Sequence, residues 1–144
     1  MPIKPENRAR YPKDWPAISV AAKERAGYKC QHPGCNARQY AFGVWEEPPH
    51  GQFFELGQGV TYAEAKQRAA EEHFARHGDG PAPADEKIIV IVLTVAHLNH
   101  EPEDCRPENL AAMCQRHHLA YDAQHHRETA YATRKAAAQT LELF

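Results

Sequence analysis

An apolar run from Ile88 to Val95, followed two residues later by His97, constrains the fold of this chain more than any other feature. A membrane-spanning helix needs about 20 apolar residues, so the run is too short to cross a bilayer. A short continuous apolar run is typical of a buried β-strand. The end of such a strand is rigid, and His97 is therefore expected to be held in a fixed position, as a catalytic group requires.

A second short apolar segment, Leu110 to Met113, follows a polar loop and leads into a segment with helical propensity that begins at Cys114. The loop between the two apolar segments contains Asn109, and the helix contains His118. The sequence therefore predicts a strand ending at a histidine, a loop with an asparagine, a second strand, and a helix with a histidine. Together these elements favour an α+β fold.

Length and composition place the chain in one domain without a membrane segment. At 144 residues it is long enough to bury a sizeable core, while 11 prolines and 8 glycines indicate many loops. The formal net charge of −2 argues against sequence-independent coating of nucleic acid, but it allows a local basic groove. The polar, proline-rich N-terminus does not resemble a signal peptide, so we expect a cytoplasmic protein whose cysteines are thiols or zinc ligands.

The single domain, 1–144, is predicted to consist of five consecutive parts. They are a basic, extended arm over 1–13, a helix and zinc knuckle over 14–35, an inserted hairpin and helix over 36–87, a core over 88–128 and a C-terminal helix over 129–144. Asp14 is expected to cap the first helix, and Trp15 is expected to anchor that helix on the core. In the insertion, a turn over 46–51 joins two strands, and the capping box Thr61–Glu64 predicts a helix over 62–76.

Two short pairs of potential ligands predict a structural zinc site. The pairs are Cys30 with Cys35, and Cys114 with His117. Structural zinc takes four sulfur or imidazole ligands, commonly as two such pairs. His32 is an alternative to His117, and ordinary buried thiols are the alternative to a zinc site. Cys105 lies in a charged loop and is expected to be a free thiol.

The histidines around this zinc site indicate hydrolytic chemistry. A neutral imidazole suits the role of general base near neutral pH, and His97 fits that role. His118 and Asp122 are four residues apart, so they project from one face of a helix and can bind one divalent cation. Asn109 is expected to bond across the loop and to orient the His97 ring. Either His100 or Asn99 is the expected third ligand of the cation.

These motifs resemble the HNH endonuclease family, which has the ββα-metal (His-Me finger) motif. The motif reads as a strand ending in Asp-His or His-His, then Asn-Leu, then Cys-x-x-Cys-His on a helix. The matching residues here are Ala96-His97, Asn109-Leu110 and the segment from Cys114 to His118. The resemblance covers about 94–122, together with the Cys30/Cys35 pair and the preceding helix. This pattern is similar to that of small zinc-supported HNH proteins of phages and prophages.

The resemblance implies a ββα-metal core and metal-dependent cleavage of DNA, mainly double-stranded, leaving 5′-phosphate and 3′-hydroxyl ends. By that resemblance, His97 is the general base, Asn109 orients the loop, and His118 binds a catalytic Mg²⁺, Mn²⁺, Ni²⁺ or Zn²⁺ ion. The phosphate backbone would be held by basic side chains. The candidates are Arg116, Arg106, Arg127 and Lys29.

Two positions depart from the family pattern. His117 stands in place of the usual second cysteine, which zinc tolerates. Ala96 stands where the family has a metal-binding Asp or His, and alanine has no ligand atom. Asp122 is expected to compensate, as in the colicin nucleases, whose helix carries two ligands one turn apart. The alternative is a catalytically degenerate, zinc-stabilised HNH fold that binds nucleic acid or acts as an adaptor.

Overall fold

The computed structural model describes residues 3–46 and 51–142, and it shows a mixed α/β protein with two small sheets. The helices are α1 (Trp15–Arg25), α2 (Tyr62–His77) and α3 (Gln115–Glu142). The strands are β1 (Ala41–Trp45), β2 (Phe53–Gln58), β3 (Ile89–Val90), β4 (Thr94–His97) and β5 (Leu110–Met113). Short 3₁₀ helices are found at Pro5–Arg10, Ala84–Glu86 and Pro107–Asn109.

The N-terminal segment is not the extended arm that the sequence predicts. Residues Pro5–Arg10 form a 3₁₀ helix. The Arg10 guanidinium makes two bonds, of 2.6 and 3.1 Å, to the Glu103 carboxylate in the loop between β4 and β5. Prolines fix φ near helical values, which allows a short 3₁₀ turn here, and the distant ion pair could not be read from local sequence.

Helix α1 packs its apolar side against the β4–β5 hairpin. Ala22 is buried against Val95 and Leu110, and Trp15 and Ile18 cover the same cluster, so Trp15 anchors the helix as predicted. Asp14 occupies the N-cap position, but the predicted capping hydrogen bond is absent because its side chain accepts none there. Pro16, the second residue of the helix, favours the start of the helix instead, because its ring holds φ near the helical value.

The first sheet has the strand order β2-β1-β3, with both pairings antiparallel. The predicted hairpin is confirmed by β1 and β2, whereas most of its turn, residues 47–50, lies outside the described residues. The predicted capping box at the start of α2 is also present, since Thr61 Oγ1 accepts from the backbone of Glu64. Helix α2 runs one residue further than expected and stops before Gly78, whose φ is +63°.

The apolar run from Ile88 to Val95 does not form the single strand that its pattern predicts. Its first part, β3, pairs with β1, and its last part belongs to β4 in the other sheet. Between them, Val92 and Leu93 donate their backbone N–H groups to the side chains of Gln115 and Gln39, respectively. These distant glutamines replace sheet partners, so the backbone groups of the run remain bonded where the run changes sheets.

The second sheet is the antiparallel pair β4–β5, followed directly by α3. Thr94 pairs with Met113, and His97 pairs with Leu110. Helix α3 begins at Gln115 and continues without a break through the predicted boundary between 128 and 129. The hairpin therefore brings the loop between its strands to one end of the sheet, and the first turns of α3 pass beside β4 and β5. No helix among the described residues is both long enough and apolar enough to cross a membrane.

The close approach of β2 to Gly43 provides a test of the first sheet. A Cβ at Gly43 would lie 2.0 Å from the carbonyl oxygen of Phe54, a backbone atom that cannot move aside. We expect Gly43→Ala to lower the free energy of unfolding by about 1–3 kcal/mol. Gly80→Ala is the control, since its Cβ would meet nothing closer than 3.7 Å. Urea unfolding at fixed metal concentration measures both changes, and equal stability of the two variants would contradict this packing.

Candidate metal centre and histidine cluster

Four predicted ligands converge at the start of α3. They are Cys30, Cys35, Cys114 and His117, whose ligand atoms all lie within 4.8 Å of one another. His117 Nδ1 is 3.2 Å from Cys114 Sγ and 3.6 Å from Cys30 Sγ, which matches the separations between ligands around one tetrahedral ion. These four residues therefore lie close enough to hold a metal such as zinc.

The surroundings of this tetrad, the name used below for the four residues, favour a bound cation. Cys30 and Cys114 are buried. The neighbouring Cys114 thiol lowers the pKa of Cys30 to about 4, while its own pKa is raised by the contact with Cys30. The hydrogen bond from Cys114 thus favours a thiolate at Cys30, whereas burial raises the pKa of Cys35. A bound metal ion would stabilise the deprotonated form of all three. His32, the alternative ligand, lies outside the tetrad and stacks on His117 at 3.9 Å between ring centroids.

Backbone geometry explains why the two ligand pairs meet. The knuckle that contains Cys30 and Cys35 is bound to β5, because Gln31 N donates to Ala112 O and Ala112 N donates to the Gln31 side chain. Cys114 directly follows β5, so this docking brings the two pairs together. The tetrad therefore joins the segment after α1 to the junction between β5 and α3.

A second polar cluster lies one turn further along α3. The carboxylate of Asp122 contacts two imidazoles, with 3.1 Å between Oδ2 and His118 Nε2 and 3.1 Å between Oδ1 and His100 Nε2. Asp122 is 9% exposed and links the two imidazoles. Among the described residues, however, only the tetrad brings three or more ligand atoms within 4.8 Å of one another, so the second cation site stays a prediction. Asn99, the other predicted third ligand, instead bonds within its own loop to Asp104 and Asn109.

Thr94 is a member of this cluster that the sequence analysis did not identify. Its hydroxyl contacts His118 Nδ1, so both ring nitrogens of His118 have partners. Strand alternation could have indicated this contact, because Thr94 and Ala96 share the strand face opposite His97. Burial lowers the pKa of His118, although the nearby Asp122 carboxylate acts in the opposite direction. The lowered pKa favours the neutral imidazole, which is the form that binds metals.

His97 lies on the other face of β4 and is 8% exposed. Trp15 stacks on its ring at 4.8 Å between centroids, and Tyr11 meets the ring edge at 5.7 Å. Cys105 Sγ lies 3.6 Å from His97 Nε2. Burial lowers the pKa of His97, so the ring is neutral over a wider pH range. Local sequence gave no signal for the contact with Tyr11, because the two residues are far apart along the chain.

Asn109 bonds across the loop but not to the His97 ring, which corrects the predicted role. Its side-chain oxygen accepts from Asn99 N, and its amide donates to Asn99 Oδ1 and Asp104 O. Its backbone oxygen also accepts from Leu98 N. Asn109 therefore fixes the shape of the loop that follows His97. Within the described residues, the ring itself is contacted by side chains from the N-terminal segment, α1 and the far end of the loop.

The candidate phosphate-binding arginines have different surroundings. The Arg116 guanidinium lies 4.7 Å from the Trp45 ring centroid, in a cation–π contact. Arg106 makes a two-pronged ion pair with Asp104 at 2.8 Å, which lowers the pKa of that carboxyl to about 2. Arg127 is exposed and makes no ion pair within the described part of the chain. Arg127 is thus the most available of the three for a phosphate.

Comparison of the chain with protein-family models, with curated proteins and with solved structures finds no match in any of the three. The resemblance to HNH endonucleases therefore rests on the sequence motif alone.

The tetrad predicts that a metal ion contributes to folding. We expect Cys114→Ser to lose about one bound zinc ion per chain, because one of four ligands is removed. Cys105→Ser is the matched control, since Cys105 is outside the tetrad and its replacement should leave the zinc content unchanged. Elemental analysis of the purified proteins and thermal unfolding with and without a chelator measure the effect. Equal zinc content in both variants would contradict the assignment.

Proposed function

We propose that this protein is a metal-dependent HNH endonuclease that hydrolyses DNA phosphodiester bonds. The observation that carries the proposal is the convergence of His118, Asp122 and His100, with 3.1 Å between the carboxylate and each imidazole. This cluster lies beside the strand that ends in His97. The order of β4, β5 and α3, with the tetrad at the start of α3, supports a ββα-metal core.

The donor set of the cluster fits a divalent cation. Two imidazoles and one carboxylate suit a transition metal such as Mn²⁺, Ni²⁺ or Zn²⁺ better than an all-oxygen site would, while the carboxylate also accommodates Mg²⁺. The bound cation would stabilise negative charge on the phosphate and on the leaving oxygen. The Thr94 hydroxyl would orient the His118 ring through Nδ1, as partners of metal-binding histidines generally do, and Nε2, which faces Asp122, would bind the cation. Zinc is the proposed occupant of the tetrad.

His97 supplies the base in this proposal. Its lowered pKa keeps the ring neutral near pH 7, so it can accept a proton from the attacking water. The water oxygen forms a bond to phosphorus, the bond from phosphorus to the 3′ oxygen breaks, and the products are a 5′-phosphate and a 3′-hydroxyl. Arg127, which is exposed on α3, would neutralise a backbone phosphate, with double-stranded DNA as the expected substrate.

The packing of Ala96 favours a second candidate function, a catalytically degenerate nucleic-acid-binding or adaptor protein. Ala96 is 1% exposed and belongs to the main apolar cluster, so no ligand atom comes from this position. In that case, substitution of His97 or His118 leaves DNA binding intact and no cleavage is observed with any metal.

A cleavage assay on supercoiled and linear DNA with Mg²⁺, Mn²⁺, Ni²⁺ or Zn²⁺ tests the nuclease. We expect His97→Ala to lower the rate by roughly 10²–10⁴-fold, the usual contribution of a positioned base. His118→Ala should abolish metal-stimulated cleavage because it removes an imidazole from the cluster.

His126→Ala is the matched control for the His118 variant. His126 is exposed on the same helix, outside the cluster, and its replacement should leave the rate unchanged. An inactive parent protein that still binds DNA would reject the nuclease in favour of the degenerate fold. Equal rates for the His118 and His126 variants would reject the proposed cation site.

A further inference from the structure

The enclosure of His97 consists of Trp15, Tyr11 and Cys105, none of which belongs to the metal cluster. Trp15 lies on one ring face with an interplanar angle of 27°, and Tyr11 meets the ring at 76°. The Cys105 sulfur contacts Nε2. Three side chains from three different segments therefore contact one imidazole. Two of them are aromatic rings that pack against it, and the third places a polar atom against a ring nitrogen.

The contacts of Cys105 favour one of the two positions for the proton on the His97 ring. The thiol proton is donated to the carbonyl oxygen of Pro102 at 3.3 Å. A thiol has one proton, so toward His97 the sulfur can act only as an acceptor. With the thiol proton directed to Pro102, the 3.6 Å contact with Nε2 takes the form Nε2–H···S. Burial raises the pKa of Cys105, which keeps the thiol protonated as this arrangement requires.

The opposite ring nitrogen, Nδ1, is then unprotonated. It has no hydrogen-bond partner within the described residues. A neutral ring with Nε2 protonated presents its lone pair at Nδ1.

We propose that Cys105 and Trp15 are positioning residues for His97, Cys105 by fixing the Nε2–H tautomer and Trp15 by fixing the ring plane. The Pro102 carbonyl completes the chain from loop backbone to sulfur to imidazole. Asn109, which the sequence pointed to for this task, acts on the loop shape and so places Cys105 indirectly. The effect on catalysis rests on the proposed nuclease function, whereas the tautomer assignment does not.

Nitrogen-15 NMR of the full-length, zinc-loaded protein with labelled histidine tests the tautomer directly. At neutral pH we expect His97, identified by its loss in His97→Asn, to show the Nε2–H form. Cys105→Ala should give a mixture of both tautomers because Nε2 loses its acceptor. Cys105→Ser should restore the Nε2–H form, since a hydroxyl can donate to Pro102 and accept from the ring.

Glu108→Ala, an exposed change in the same loop, is the control and should leave the His97 signals of the parent protein. An Nδ1–H tautomer in the parent, or an unchanged tautomer in Cys105→Ala, would overturn the role of Cys105. These NMR outcomes do not depend on cleavage activity. A parent protein that cleaves no DNA with any metal, while showing the expected tautomers, would therefore reject the nuclease and leave the assignment of Cys105 intact.

Cleavage kinetics test the catalytic consequence in an active parent protein. We expect Cys105→Ala to lower kcat by roughly 10- to 100-fold with little change in KM, since misplacing a catalytic group by about 1 Å can cost that much. Cys105→Ser should recover most of the loss. Trp15→Leu should also lower kcat, whereas Trp15→Phe, which retains an aromatic face, should keep kcat near that of the parent protein. The zinc content of each variant verifies its folding. Unchanged kcat in Cys105→Ala and Trp15→Leu would refute the positioning role.

Discussion

The convergence of three sulfurs and one imidazole at the start of α3 is the contact on which the rest of this structure depends. Cys30 and Cys35 follow α1, while Cys114 and His117 mark the point where β5 becomes α3. Joining these segments fixes α1 against the β4–β5 hairpin and fixes the first turn of α3 beside it. A metal bound there would add its binding free energy to the modest apolar core of a small domain with short strands.

The two faces of β4 contact different helices, because α1 is fixed on one side of the strand and α3 on the other. Period-2 alternation directs Thr94 toward α3, where its hydroxyl contacts His118, and directs His97 toward α1, where Trp15 stacks on it. The proposed cation ligands and the proposed base therefore lie on opposite sides of β4 and have different surroundings. The ligands are polar and partly enclosed, whereas the base is covered by aromatic rings and contacts a thiol. Each environment lowers the pKa of its histidine through burial.

Helices, turns and ligand pairs were predictable because their signals are local. The capping box at Thr61 and Glu64 defines the start of α2, and the helical spacing of His118 and Asp122 places both on one face. The hairpin of the first sheet followed from alternation around a turn. The apolar run that begins at Ile88 was misjudged, because hydrophobicity predicts burial but cannot identify the strand or side chain that satisfies each backbone group. Here the glutamines Gln39 and Gln115 do so, from distant parts of the chain.

The sequence by itself determined which chemical groups are available: a set of four zinc-type ligands, a histidine and an aspartate one turn apart on a helix, and a histidine at a strand end. Those properties depend on residue type and on spacing within one element. Only the tertiary structure decided that Cys105 contacts His97 while Asn109 does not, that Thr94 contacts His118, and that Arg106 is already paired with Asp104. The reason is that each of these outcomes depends on how a loop closes or on how separate elements pack, and local sequence patterns do not encode either.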